Sequence, residues 1–276
     1  MTQSVFYAHI TGAAAQTGLP VAEIGRMAHA CGVSGVEVDW ADLQRAPAEL
    51  QDCLQYSGLV ICGIYGFYDF GNDADITDAL RLIDAAQRLG AQNVLLVPGF
   101  FQAPADLERV RQNIAAALRP ICAYAAERGV QVSLEDYDSA NSPCATTEQL
   151  LWFFEQVEGL RCTFDTGNFL VAGEDGLAAL ERLLPHIGYV HCKDRALAPY
   201  DGEDGGQTLA GVAIYPAPVG SGCIPLHEIL RRLRQGGYDG VLAIEHFGLR
   251  NQWAGIERSA AFLQGENRVE EWEAAK

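Results

Sequence analysis

Apolar positions follow two alternating rhythms along the chain. Short apolar runs occur at "SVFYAHI" (4–10), "GVEVDW" (35–40), "LVICGIYGF" (59–67), "NVLLVPG" (93–99), "VQVSLEDY" (130–137), "RCTFDTGN" (161–168), "IGYVHCKD" (187–194) and "GVLAIEHF" (240–247). Their brevity and their Val, Ile and aromatic content predict strands. After each comes a longer stretch with apolar residues every three or four positions, which predicts helices over about 20–31, 42–57, 75–89, 105–128, 146–157, 176–184, 225–236 and 254–265. Thr146 or Thr147 is placed to cap one helix, and Gly129 to end another. Eight strand–helix pairs in 276 residues predict an α/β fold, a (β/α)8 TIM barrel forming a single domain over 1–276. A doubly wound sheet is the second choice. It would place a Gly-rich turn after the first strand, and "HITGAAAQTG" is a poor match to that turn. The longest irregular stretch, Ala196–Pro225, follows the seventh strand and is expected either to cover the mouth of the barrel or to be a plain surface insertion.

Alternation within the later strands carries the chemistry. Ser133 and Glu135 oppose Val132 and Leu134, while Thr163 and Asp165 oppose Cys162 and Phe164. Tyr189, His191 and Lys193 oppose Val190 and Cys192, and Ala243 and Glu245 oppose Leu242 and Ile244. With the apolar phase turned to the outer helices, the other phase points into the barrel. Glu135, Asp165, His191 and Glu245 then converge at the C-terminal mouth. Three carboxylates so close repel one another, and a divalent cation removes that cost. The donor set suits Mn2+, Mg2+ or Co2+, with Zn2+ at lower coordination. Singly, each residue has a plainer role: a paired carboxylate, a core histidine, a turn-forming Asp. Four consecutive strands ending alike favour the metal site.

Composition narrows the partners. There are 19 Lys and Arg against 36 Asp and Glu, a formal charge of −17, which disfavours nucleic acid and anionic membrane surfaces. Eight cysteines without a Cys-x-x-Cys pair predict buried thiols, Cys62, Cys162 and Cys192 among them. No apolar run reaches membrane-span length, and "MTQSVFYAHITG" lacks the pattern of a secretory signal, so a cytoplasmic location is expected.

The pieces "SLEDY", "TFDTGNF", "YVHCKD", "PVGSGCIPLHEILRRL", "GYDG" and "LAIEHFG" also carry a resemblance. The chain resembles the xylose isomerase-like TIM-barrel superfamily and, within it, the sugar phosphate isomerase/epimerase group. That group includes tagatose 3-epimerase, inosose isomerase, inosose dehydratase and hydroxypyruvate isomerase. The resemblance implies one divalent metal on Glu135, Asp165, His191 and Glu245, with Glu135 and Glu245 as the acid/base pair. It implies proton abstraction beside the carbonyl of a keto-sugar or keto-inositol, through a metal-stabilised enediolate, and hence an isomerase or epimerase. Dehydration of a keto-sugar or inosose is the alternative on the same site, and a homo-oligomer is expected. Asn168 stands where epimerase members often carry His, and "HCKD" follows the inosose-type pattern, which weakens a tagatose-type assignment. Apurinic-site endonucleases share the fold, but the third and fourth strands here lack the histidines of a three-zinc centre. A non-catalytic barrel is disfavoured by retention of all four ligand positions.

Further substrate contacts are expected at Lys193, Asn168, His9, Glu37, Trp40 and Tyr65, with a rim salt bridge the equal alternative for Lys193, barrel-mouth packing the commoner role of the aromatics, and His246 structural. "PVGSG" (Pro218–Gly222) lies where many barrels bind phosphate, but it carries no basic residue.

Overall fold

The computed structural model describes residues 1–274, with side chains described through Glu266. Strand β1 (Thr2–Phe6) leads into α1 (Tyr7–Thr17) and α2 (Val21–Ala30), and β2 (Gly35–Asp39) into α3 (Trp40–Arg45) and α4 (Pro47–Ser57). Next come β3 (Val60–Phe67), α5 (Thr77–Leu89), β4 (Asn93–Val97), α6 (Leu107–Ala126), β5 (Gln131–Glu135) and α7 (Thr147–Gln156). Strand β6 (Arg161–Asp165) is followed by α8 (Phe169–Ala172) and α9 (Gly176–Leu183), and β7 (Ile187–Ala196) by short β8 (Gly206–Gln207) and β9 (Ala213–Ala217). Helix α10 (Leu226–Gln235), β10 (Val241–Glu245) and α11 (Gln252–Ala274) complete the order.

Strands β1 to β7 pair in sequence, all parallel, and β10 pairs with both β7 and β1. The sheet therefore closes into an eight-stranded barrel with no free edge. The expected alternation is present. Val132, Leu134, Cys162, Phe164, Val190, Cys192, Leu242 and Ile244 all belong to the large core between sheet and helices. A second, small cluster of Phe6, Cys62, Tyr65, Leu95, Tyr189 and Ala243 fills the barrel interior.

Local chemistry explains where the elements depart from the periodicity. The first strand stops at Phe6, four residues earlier than the apolar pattern suggests, and Tyr7 opens a helix. The three alanines of "TGAAAQT" favour that helix, and Gly18 ends it in a left-handed conformation (φ +74°). The helix expected over 42–57 is split at Pro47, which lacks the N–H needed to continue α3 and starts α4 instead. Thr146 and Gln149 form the capping box that opens α7. All eight cysteines are free, and Cys62, Cys162 and Cys192 are buried as expected.

Ala196–Pro225 is more ordered than its Gly and Pro content suggests. Strand β9 pairs antiparallel with the end of β7, placing Asp194, Arg195 and Ala196 opposite Ala217, Pro216 and Tyr215. Strand β8 adds to β9. Among the described residues, no helix is long and apolar enough to cross a membrane.

Candidate metal centre

Strand register brings the candidate ligands together. Asp165 is the Cα partner of His191 across β6 and β7, and Lys193 is that of Glu245 across β7 and β10. Glu135 ends β5 on the other side of β6. One ligand atom from each of Glu135, Asp165, His191 and Glu245 lies within 4.8 Å of all the others, and all four side chains are buried. Below them, Ser133 and Thr163 share a hydrogen bond of 2.7 Å inside the barrel.

Hydrogen bonds and ion pairs fix most of the centre. Asp165 acts as the turn former its sequence suggested. Its Oδ1 accepts the backbone N–H groups of Gly167 (2.7 Å) and Asn168 (3.1 Å), which turns Oδ2 toward the cluster. The backbone N–H of Asp165 donates in turn to Asp136 Oδ1 at 2.9 Å. The Nδ1 atom of His191 faces Glu135 Oε1 at 2.6 Å and Glu245 Oε2 at 3.1 Å. Its Nε2 faces Glu37 Oε2 at 3.0 Å. Lys193 Nζ reaches Asp165 Oδ2 (2.9 Å), Glu245 Oε1 (2.5 Å) and Asn168 Oδ1 (2.9 Å).

The electrostatics follow from crowding out of water. Burial raises the Glu135 carboxyl to about 7 against the pull of His191, and burial also raises Asp165. Burial would raise Glu245 too, but Lys193 and His191 outweigh it and hold this carboxyl well below the usual range. Burial disfavours charge on His191 and Lys193, yet the surrounding carboxylates lift both well above their ordinary values. Asp165 Oδ2 receives no hydrogen bond among the described residues, only the ion pair with Lys193. Carboxylate and imidazole donors converging with excess negative charge fit a hard or borderline divalent cation.

A cavity of about 460 Å3 opens above the centre. Lys193, Asn168 and Tyr65, three of the expected substrate contacts, line it together with Glu135, His191 and Glu245. Three others do not. His9 lies on α1 because β1 ends early, and its ring stacks on His246 at 3.8 Å. Trp40 donates its indole N–H to Asp78 at 2.8 Å, tying α3 to α5. Glu37 is fully enclosed beneath the cavity, against His191. His246 is buried and structural, as its outward phase indicated; its backbone N–H donates to His9 Nε2.

The cavity has further walls that single-strand alternation did not single out. Aromatic Phe67, Tyr137 and Phe247 face polar Asp138 and Arg195, whose ion pair measures 2.5 Å. The signal for Tyr137 and Asp138 was their place directly after Glu135 in "LEDYD". Arg195 likewise continues the phase of His191 and Lys193.

The "PVGSG" loop answers the phosphate question. The N–H groups of Gly220 (3.0 Å), Gly222 (2.8 Å) and Ile224 (3.1 Å) all donate to the Asp194 carboxylate, which also accepts from the N–H of Arg195 (2.8 Å). The chain supplies its own anion to these donors.

Known proteins resemble the chain in sequence and in fold. The chain is 29% identical over 237 residues to inosose dehydratase of Klebsiella pneumoniae strain 342, covering 78% of each chain. Two solved structures share the architecture. One is D-allulose 3-epimerase from Methylomonas sp. in complex with D-allulose (TM-score 0.72, 17% identity, 96% of this chain and 97% of that one). The other is a xylose isomerase-like TIM barrel protein from Mycobacterium smegmatis in complex with magnesium (TM-score 0.67, 21% identity, 89% and 87%). At these identities the two structures speak to fold. The family model for the xylose isomerase-like TIM barrel matches residues 26–265, and the chain belongs to that family.

Proposed function

We propose that this protein is a divalent-metal-dependent enzyme that removes a proton from the carbon beside the carbonyl of a keto-sugar or keto-inositol. The observation that carries the reading is the convergence of Glu135, Asp165, His191 and Glu245 within 4.8 Å at the floor of a cavity of sugar size. These four side chains would hold the ion. A bound divalent cation polarises a carbonyl and its neighbouring hydroxyl and lowers the pKa of the C–H between them.

The rest of the work falls to the chain. Glu135 on β5 and Glu245 on β10 approach the cavity floor from different strands, so one carboxylate can take the proton while the other returns it. Return to the opposite face gives an epimer, and return to the neighbouring carbon gives an isomer. The Lys193 ammonium and the Asn168 amide stand in the same cavity and suit sugar hydroxyls. Phe67, Tyr137 and Phe247 offer apolar faces for the C–H side of a ring.

Dehydration is the second reading, favoured by the inosose dehydratase relative. It begins with the same proton abstraction and ends with loss of a β-hydroxyl. One experiment separates the two. The metal-loaded protein is incubated in D2O with a panel of ketoses and inososes and followed by NMR and mass spectrometry. Deuterium uptake at the carbon beside the carbonyl without loss of water indicates isomerisation or epimerisation. Loss of one water indicates a lyase. No exchange on any member of the panel, with metal bound, would overturn the reading. The homo-oligomer is proposed as well and is checked by light scattering.

A further inference from the structure

Glu37 is a buried carboxylate that the proton-transfer scheme does not use. It sits on β2, three strands round the barrel from β7, and is 0% exposed. It is not one of the four residues whose ligand atoms converge. Its Oε2 meets the Nε2 atom of His191 at 3.0 Å, while the Nδ1 atom of that ring faces Glu135 and Glu245.

An imidazole offers a cation only the nitrogen that carries no proton. A carboxylate beside one nitrogen keeps the proton there and leaves the lone pair on the other. Both nitrogens of the ring face carboxylates; when a cation displaces the proton from Nδ1, Glu37 retains the one on Nε2 and leaves the Nδ1 lone pair to the ion. The ring plane is fixed as well, by the edges of Phe6 (centroids 4.9 Å apart, 71°) and Tyr189 (5.8 Å, 86°). The seat is built for this side chain. Gly63 is the Cα partner of Glu37 on β3, and a Cβ there would stand 3.4 Å from the Glu37 carboxyl carbon and 3.2 Å from the Tyr189 hydroxyl. Carboxylate partners of this kind orient metal-binding histidines and raise their donor strength.

We propose that Glu37 is a positioning residue that presents His191 Nδ1 to the divalent ion. This rests on the metal-centre reading above. The test uses full-length protein labelled with 15N-histidine, and Zn2+ as the probe, in the wild type, Glu37→Gln and Glu37→Leu. The His191 signals are assigned by their absence from His191→Asn. The wild type is expected to show zinc on Nδ1 and a proton on Nε2. Glu37→Leu is expected to weaken zinc binding by about 10- to 100-fold. Glu37→Gln preserves size and an oxygen acceptor, so it guards against a folding defect and should lose less. Zinc on Nε2 in the wild type, or unchanged affinity and ligation in both variants, overturns the role of Glu37 alone. Failure of the wild type to bind zinc overturns the metal-centre reading together with it.

Discussion

Asp165 and Asp194 are both buried carboxylates at the ends of neighbouring strands, β6 and β7, and they are handled in opposite ways. Asp194 has each oxygen filled by two backbone N–H groups, all four bonds between 2.8 and 3.1 Å. Its negative charge is met by fixed dipoles and holds a loop in place. Asp165 has one oxygen filled by backbone and the other directed at two more carboxylates. Its charge is met by the Lys193 ammonium group. Complete satisfaction marks a structural carboxylate, and incomplete satisfaction marks one available to a ligand.

Histidines divide the same way. His191, pressed between Glu37 and Glu135, has its pKa lifted well above the ordinary value although burial opposes this. His9, buried with no carboxylate in contact, is lowered to about 4 mainly by that burial, and its Nε2 accepts a backbone N–H as a neutral ring must.

These contrasts can be broken experimentally. The largest effect is expected from Asp165→Asn or Glu245→Gln. Each should lower divalent-ion affinity by on the order of 1,000-fold, about 4 kcal/mol, in a protein whose circular dichroism is unchanged. Calorimetric titration with Mn2+ measures it, and affinity like that of the wild type would erase the distinction from Asp194. In Asp194→Ala the loss should instead be in folding, about 3 kcal/mol in urea denaturation, because four N–H groups lose a charged acceptor. A neutral result there would mean that water replaces the carboxylate without cost.

His9 gives the next effect. Unfolded His9 regains a pKa near 6.5, so the unfolded chain binds more protons than the folded one between about pH 4 and 6.5. The contribution is fully present above pH 6.5 and is lost as pH falls toward 4, roughly 3 kcal/mol in all. The gap in stability between wild type and His9→Gln should change across that window and stay flat above it. The smallest effect is expected from Lys193→Met. Its ammonium competes with a dication for Asp165 and Glu245, so removing it should tighten Mn2+ binding by about tenfold. Weaker binding in this variant would show that Lys193 supports the ion rather than opposing it.

Much of this was legible in the sequence because a strand alternates with period two. Polar residues in the inward phase at four successive strand ends locate Glu135, Asp165, His191 and Glu245 without any long-range information. Misplacement of His9 has a local cause: an apolar run reads alike as strand or helix, and the alanines after it decided for helix at Tyr7. Trp40 and Glu37 were placed at the right strand end, but no periodicity reveals that Asp78 or His191 lies opposite. Asp194 eluded the reading for a similar reason. Three of its four donors lie 26 to 30 residues further along the chain, where only the spacing of glycines hints at N–H groups free to gather round an anion.

The antiparallel ribbon and the Asp194 anchor fasten the long segment after β7 at two places, 213–217 and 220–224. The stretch between β7 and these fastenings carries the exposed Leu197, Leu209 and Val212, and the Leu209 N–H donates to the Val171 carbonyl at 2.9 Å. None of the residues 196–225 lines the cavity above the metal centre. Exposed loop tips of this kind are where exchanges and insertions are best tolerated, so the expected place for them is around Leu209–Val212. The fold thus keeps its most variable-looking stretch apart from the walls of the cavity, which come from the strand ends and the residues just after them.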